Sequence, residues 1–162
     1  MDKLVIGEID RKYMEEAFKE AEKALQENEV PIGCVIAFEN KIIGRGHNRT
    51  ETLQDPTAHA EIIAITAAAE FLDSWRLTGS TIYSTIEPCI MCAGALMLAR
   101  AERLVFGASD PKFGGCGSIM NIVAEKKLNH RISVTEGVLA EKCAGIMQEF
   151  FRKKRKGDHD EV

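Results

Sequence analysis

The chain has 162 residues, of which 45% are hydrophobic and 28% charged, and its formal net charge is -4. That length supports one domain with a buried core, and the composition excludes a collagen-like, low-complexity or largely disordered chain. The acidic balance gives no general attraction for phosphates, so contact with nucleic acid would require a local basic patch.

The N-terminal segment and the cysteines indicate in which cellular compartment the protein is found. Residues 1–11 lack the basic start and apolar run of a signal peptide, and no stretch approaches the roughly 20 apolar residues of a membrane span. Five cysteines are an odd count, which argues against a disulfide framework. We therefore expect a cytoplasmic protein without membrane contact, whose cysteines bind metal or are simply buried.

The first half of the chain predicts a helix, a hairpin and a second helix. Apolar residues recur at helical spacing from Met14 to Leu25, behind Asp10 as the expected N-cap. The β-rich runs 33–38 and 41–44, split by Glu39-Asn40, predict a hairpin. The polar segment 50–56 is an expected loop, which leads through 57–61 into a helix ending near Leu72.

The second half predicts strands that alternate with helices. We expect strands at 80–86, 103–108 and 133–135, helices at 89–99 and 139–151, and a glycine-rich loop at 114–117. An initial hairpin followed by this alternation predicts a layered α/β domain. We assign one domain to residues 1–156 and a short polar tail to residues 157–162.

Two short motifs carry the chemistry. His59-x-Glu61 and Pro88-Cys89-x-x-Cys92 supply one imidazole and two thiolates, each at a predicted helix start. Three ligands leave the fourth tetrahedral position of zinc open for water, whose pKa zinc lowers to about 7. Hydrolysis is the expected chemistry, with Glu61 as the carboxylate that moves protons. Spacing alone does not place Glu61 beside the metal, because residues i and i+2 of a regular helix face different directions.

Other interpretations of these cysteines remain open. Cys-x-x-Cys alone is also found in closed structural zinc sites, redox pairs and packed cores. A lone cysteine, Cys34, Cys116 or Cys143, could close a structural site. The full H-x-E…P-C-x-x-C combination is typical of zinc-dependent nucleobase deaminases.

Further segments along nearly the whole chain resemble the bacterial tRNA-specific adenosine deaminase family. They are residues 29–33, 46–49, 55–61, 75–77, 87–93, 110–112, 128–131 and 150–152. The resemblance implies the cytidine-deaminase-like fold, a three-layer α/β/α domain with a central mixed sheet of about five strands. It also implies deamination of the wobble adenosine of an arginine tRNA to inosine, and a homodimer with one zinc ion per subunit.

The resemblance also implies a role for particular residues. His59, Cys89 and Cys92 correspond to the zinc ligands, and Glu61 to the proton shuttle. Asn48 resembles the asparagine that hydrogen-bonds the target nucleoside. Asp110 resembles the acidic residue that contacts sugar hydroxyls of the anticodon stem-loop. A deaminase of free nucleobases or nucleosides, and a catalytically silent zinc protein that binds RNA, are the competing hypotheses.

Three weaker features have two interpretations each. The basic run 152–156 is either a solvated, frayed tail or a contact for the tRNA backbone. One ring of Phe150-Phe151 should pack on the core and the other point outward, and we expect Phe151 to stack on a loop base. The stripe Met91, Ala95 and Leu98 belongs either to the core or to a dimer face.

Overall fold

The structure is a computed structural model that describes the backbone of residues 3–159 and the side chains of residues 7–158. Its helices are α1 (Lys3–Gln26), α2 (Thr50–Leu53), α3 (Ala60–Leu72), α4 (Ile90–Leu98) and α5 (Ala140–His159). Its strands are β1 (Gly33–Phe38), β2 (Lys41–His47), β3 (Thr81–Ile86), β4 (Arg103–Ala108) and β5 (Ser133–Thr135). A short 3-10 turn, Ile122–Ala124, precedes β5.

The five strands form one mixed sheet in the order β2-β1-β3-β4-β5. β1 pairs antiparallel with both β2 and β3, whereas β3, β4 and β5 run parallel to one another. The hairpin turn at Glu39 and Asn40 has positive φ at both residues, as a two-residue turn between twisted strands requires. The predicted mixed sheet is confirmed.

Two helical layers cover the sheet because alternate residues of its buried strands face opposite sides. Cys34 and Ile36 belong to the core under α3 and α4, and Val35 and Ala37 to the core under α1 and α5. The three-layer α/β/α arrangement expected from the family resemblance is therefore present.

The first helix begins earlier than predicted, and Asp10 is not its N-cap. α1 already includes Lys3, so Asp10 lies inside the helix rather than at its N-cap. Its buried carboxylate accepts two hydrogen bonds from Arg103, at 2.7 and 2.6 Å, and one from the Tyr83 hydroxyl at 3.0 Å. The sequence pattern wrongly predicted an N-cap at Asp10, because the residues that neutralise this acid lie far along the chain.

Two other segments are more helical than predicted. The expected loop at 50–56 contains α2, whose first residues donate backbone hydrogen bonds to Glu29. The last helix was expected to end at Phe151, but α5 continues to His159 and includes the whole basic run. The division into a domain over 1–156 and a tail over 157–162 stays a prediction, and residues 160–162 lie outside the described part of the chain.

The topology brings several chain segments to one edge of the sheet. Parallel β3 and β4 both end there, joined where Glu87 N–H donates to the Ala108 carbonyl at 2.8 Å. The end of β2 packs directly on the start of α3. Gly46 allows this close approach, because a Cβ at that position would clash with the carbonyl oxygen of Ala60. The N-termini of α3 and α4 therefore meet at this edge.

Among residues 3–159, none of the helices is long and apolar enough to span a bilayer.

Candidate metal centre

His59 and Cys89 occupy the same position at the starts of two helices. Each is an N-cap in extended conformation, with φ −79° and ψ 154° at His59 and φ −69° and ψ 173° at Cys89. Glu61 and Cys92 lie in the first turns of α3 and α4. Because His59 is outside the regular helix, the rule that separates i and i+2 does not apply, and His59 and Glu61 both point towards the same centre.

The three expected ligand atoms form a compact group. His59 Nδ1 lies 3.6 Å from Sγ of both Cys89 and Cys92, and all three atoms lie within 4.8 Å of one another. Tetrahedral zinc with Zn–S bonds of about 2.3 Å and Zn–N bonds of about 2.0–2.1 Å separates nitrogen from sulfur by about 3.6 Å. The donor set and its spacing therefore fit zinc.

The two thiols of this group differ in their pKa. A hydrogen bond with the Cys92 side chain, supported by His59, lowers the pKa of Cys89 to about 4 although burial acts in the opposite direction. The same hydrogen bond and burial raise the pKa of Cys92. Cys89 also accepts the backbone N–H of Cys92 at 3.5 Å. The pair thus ionises one thiol at a time, and a divalent cation would displace the second proton.

Glu61 lies beside this group rather than within it. Its carboxylate is buried, accepts the Cys92 thiol at 3.4 Å through Oε2, and is 3.1 Å from the Ser84 hydroxyl through Oε1. Burial raises the pKa of Glu61, because the charged form is poorly solvated there. A carboxyl with a raised pKa is suited to holding and releasing a proton near neutral pH.

The other three cysteines lie outside the candidate ligand group. Within the described residues, that group comprises only His59, Cys89 and Cys92. Cys34 and Cys143 are core residues, and Cys116 lies with its sulfur 3.8 Å from the Pro88 carbonyl. Burial raises the pKa of Cys116 to about 12. The geometry favours a three-ligand site over the closed structural site that a lone cysteine would complete.

Asn48 is held by a buried acid, Glu29, that was not predicted from the sequence. Asn48 Nδ2 donates to Glu29 Oε2 at 3.3 Å, and Glu29 also accepts the Thr52 N–H at 2.6 Å and hydroxyl at 2.8 Å. The next residue, Arg49, donates its N–H to the Ala58 carbonyl at 2.9 Å, which keeps Asn48 next to the segment that enters α3. Glu29 belongs to the segment 29–33 that carries the family resemblance, but its charge pattern alone does not distinguish it from a solvated glutamate.

Asp110 belongs to a loop organised by a second buried acid, Glu87. The Glu87 carboxylate accepts the backbone N–H groups of Asp110, Cys116 and Ser118, each at 3.1 Å, and the Ser118 hydroxyl at 2.5 Å. Asp110 Oδ1 in turn accepts the N–H groups of Lys112 and Phe113. The signals for Glu87 in the sequence were its position directly before Pro88-Cys89 and its place in the segment 87–93 that carries the family resemblance, and neither shows its contacts.

Phe151 lies apart from the other expected site residues. It is 39% exposed on α5, whereas Phe150 is buried, so the expected division of the pair is confirmed. The two rings meet edge to face at 5.3 Å between centroids. A groove beside them is lined by Leu25, Asn28 and Lys153. This end of α5 therefore lies by the end of α1 and by Asn28, the neighbour of the Glu29 that holds Asn48, and no residue of the ligand group lines the groove.

Comparisons with known proteins agree with the geometry. The MafB19-like deaminase family matches residues 9–155. A tRNA-specific adenosine deaminase of Bacillus subtilis (strain 168) is 51% identical over 147 residues, which cover 91% of each protein. A solved structure from a study of A-to-I editing by tRNA:A34 deaminases is 42% identical with a TM-score of 0.80, covering 83% of this chain and 98% of that one. A guanine deaminase from Nitrosomonas europaea, at 24% identity and a TM-score of 0.73 over 85% and 81% of the two chains, shares the fold.

Proposed function

This chain belongs to the deaminase family that includes the tRNA-specific adenosine deaminases, and we propose that it hydrolyses adenosine to inosine at the wobble position of a tRNA anticodon. The observation that carries the chemistry is a buried carboxylate, Glu61, beside an open His-Cys-Cys group. A zinc protein that only binds RNA has no need of that carboxylate, which costs free energy to bury.

His59, Cys89 and Cys92 would hold one zinc ion per subunit. Bound there, zinc acts as a Lewis acid that makes a water molecule acidic enough to supply hydroxide near neutral pH. The chain contributes the geometry, because two helix starts fix the ligands and their N–H groups and dipoles favour the negative charge of the thiolates.

Glu61 is assigned the proton transfers. It takes one proton from the attacking water and passes it to N1 of adenine as the water oxygen bonds to C6, and it then carries the remaining proton of that oxygen to the 6-amino group. The bond between C6 and that nitrogen breaks, ammonia leaves, and the carbonyl of inosine remains. The raised pKa of Glu61 supports this role, since a weakly acidic carboxyl both accepts and returns a proton.

Three further residues are proposed to bind the substrate. Asn48 directs its Nδ2 to Glu29, which leaves Oδ1 free to accept a hydrogen bond from the target nucleoside. Asp110 uses Oδ1 within its own loop and would contact sugar hydroxyls through Oδ2. Phe151 is exposed near the basic run of α5, where its ring can stack on a loop base.

The proposal includes a homodimer, an arginine tRNA as substrate and a cytoplasmic location. The dimer is supported by α4, where Leu98 is 73% exposed and Met91 and Ile90 are also exposed. A helix that faces water with large apolar side chains is suited to burial against a second copy. Reduced cysteine ligands and a tRNA substrate are consistent with the cytoplasm.

The substrate class is tested by incubating zinc-loaded protein with an arginine tRNA anticodon stem-loop that carries adenosine at the wobble position. Free adenosine, cytidine and guanine are incubated in parallel. We expect inosine in the RNA and no ammonia from the free compounds. Ammonia from the free compounds alone would instead assign the chain to deamination of nucleobases or nucleosides.

A further inference from the structure

We infer that Phe113 forms a stacking subsite for a second, unpaired base of the RNA loop, next to the base that is deaminated. This inference rests on the proposed function and adds to it a residue outside the motifs that carry the family resemblance. Phe113 is 66% exposed, so a large apolar residue faces solvent close to the expected metal ligands.

The loop that carries Phe113 is pinned to the start of α4. Gly114 forms an antiparallel bridge with Cys89, and Gly115 donates its N–H to the Pro88 carbonyl at 2.9 Å. Cα atoms of bridged residues lie about 4.5–5.5 Å apart, and adjacent Cα atoms about 3.8 Å apart. The Cα of Phe113 is thus within about 10 Å of the Cα of Cys89, at the rim of the proposed active site.

The backbone of the same loop is fixed on both sides of Phe113. Asp110 Oδ1 accepts the N–H of Phe113 at 3.3 Å and that of Lys112 at 3.0 Å. On the other side, Gly114 lies so close to Glu87 that a Cβ would clash with the carboxylate. Because the backbone of the loop is already fixed, binding of a ligand to the ring costs only the rotational freedom of the side chain.

The chemistry of the rim fits a nucleotide better than a free base. Among the described residues, Phe113 takes part in no ring pair or cation–π contact, so its face is available. Lys112 beside it is exposed and supplies a positive charge for a phosphate in an otherwise acidic protein. When the target adenosine is extruded, its neighbours lose stacking partners, and an aromatic side chain can replace one of them.

Phe71 offers a matched control, because it is 63% exposed and lies near the far end of α3. At about 1.5 Å per helical residue, it is about 15 Å along the helix from Glu61. The variants are Phe113→Ala, Phe113→Trp and Phe71→Ala, each loaded with zinc. The probes are anticodon stem-loops with 2-aminopurine at one unpaired position at a time, since stacking on an aromatic ring quenches its fluorescence.

We expect quenching at one loop position that Phe113→Ala abolishes, Phe113→Trp retains and Phe71→Ala leaves unchanged. Base–aromatic stacking predicts that Phe113→Ala weakens binding of the stem-loop by roughly 5- to 150-fold. Equal binding and quenching by Phe113→Ala and wild type would overturn the inference. So would normal RNA binding with a change in sedimenting mass, which would assign the ring to contact between copies. Failure of the wild type to form inosine would instead overturn the proposed function.

Discussion

The Ser84 hydroxyl lies 3.1 Å from Glu61 Oε1 and 2.7 Å from the carbonyl oxygen of Ile86. A hydroxyl has one proton and therefore donates to only one of these oxygens at a time. When Glu61 is ionised, Ser84 can donate to it. When Glu61 is protonated, it can donate to Ser84, whose own proton then goes to Ile86. The contact accordingly supports both states of a carboxyl that moves protons.

Ser84→Ala is expected to lower kcat by about 10- to 150-fold with little change in KM, because a hydrogen bond to a charged group contributes about 1.5–3 kcal/mol. Ser84→Thr, which keeps the hydroxyl, should recover most of the rate, and zinc content should stay at one per chain. Ser80→Ala is the control, since Ser80 is a buried serine bonded to the Leu77 carbonyl outside the site. Equal kcat in Ser84→Ala and Ser80→Ala would contradict this role.

Glu61→Gln keeps the shape of the side chain and removes its ability to exchange protons. Turnover is expected to fall by about 10² to 10⁴. The melting temperature should stay the same or rise, because a neutral group costs less free energy to bury than the carboxylate that it replaces. Zinc analysis and single-turnover kinetics on the stem-loop check both points. Unchanged turnover with full zinc occupancy would remove Glu61 from the mechanism.

Cys89→Ala removes a proposed ligand at the start of α4. The variant should purify with well under one zinc per chain and melt at a lower temperature, since metal binding stabilises the folded state. Cys143→Ala is the matched control, because Cys143 is a buried cysteine outside the ligand group. The assignment would fail if Cys89→Ala retained stoichiometric zinc, or if Cys143→Ala lost it.

Gly114→Ala tests whether Glu87 and the loop fit as closely as the structure indicates. The new methyl group would meet the Glu87 carboxylate, so we expect the free energy of unfolding to fall by about 1–3 kcal/mol, together with activity on RNA. Gly145→Ala is the control, because a Cβ there meets nothing within 4 Å and the residue lies inside α5. That change should stabilise the helix. Equal denaturation midpoints for the two variants would rule out the close fit.

Neutralising Lys154, Arg155 and Lys156 to glutamine tests the basic run of α5. For every phosphate that one of these side chains neutralises, the substitution should flatten the dependence of log K on log salt by about 0.7. Lys41→Gln is the control, since Lys41 is exposed at the hairpin turn. Titrations of the stem-loop at several salt concentrations give the slopes. An unaltered slope in the triple variant would identify the run as a solvated helix end.

Local patterns predicted most of the fold and the group of three residues that could hold a metal ion, whereas long-range contacts explain what these patterns missed. His59, Cys89 and Cys92 were predicted as a group because their spacing and helix-start positions are local features, whereas the place of Glu61 beside them follows from the extended N-cap conformation of His59, which spacing does not show. Asp10 was misassigned because its partner Arg103 is 93 residues away.

The contacts that position the site could not be predicted from the sequence for the same reason. Glu29 and Glu87 look like surface acids in the sequence, and only folding brings backbone N–H groups to their carboxylates. Ser84 is one of several hydroxyl-bearing residues in β3, and its closeness to Glu61 depends on how α3 packs on the sheet. Such contacts depend on tertiary geometry, which periodicity does not encode.

Hydrolytic deamination at the wobble adenosine is tested by running the reaction on the zinc-loaded protein in water enriched in ¹⁸O, with the wobble-adenosine stem-loop as substrate. Fragment masses then locate the label. We expect one ¹⁸O atom in inosine at the wobble position, one ammonia released per inosine, and formation of both products slowed by about 10² to 10⁴ with Glu61→Gln. Absence of inosine from the RNA, or inosine at other adenosines of the loop, would contradict the proposed function.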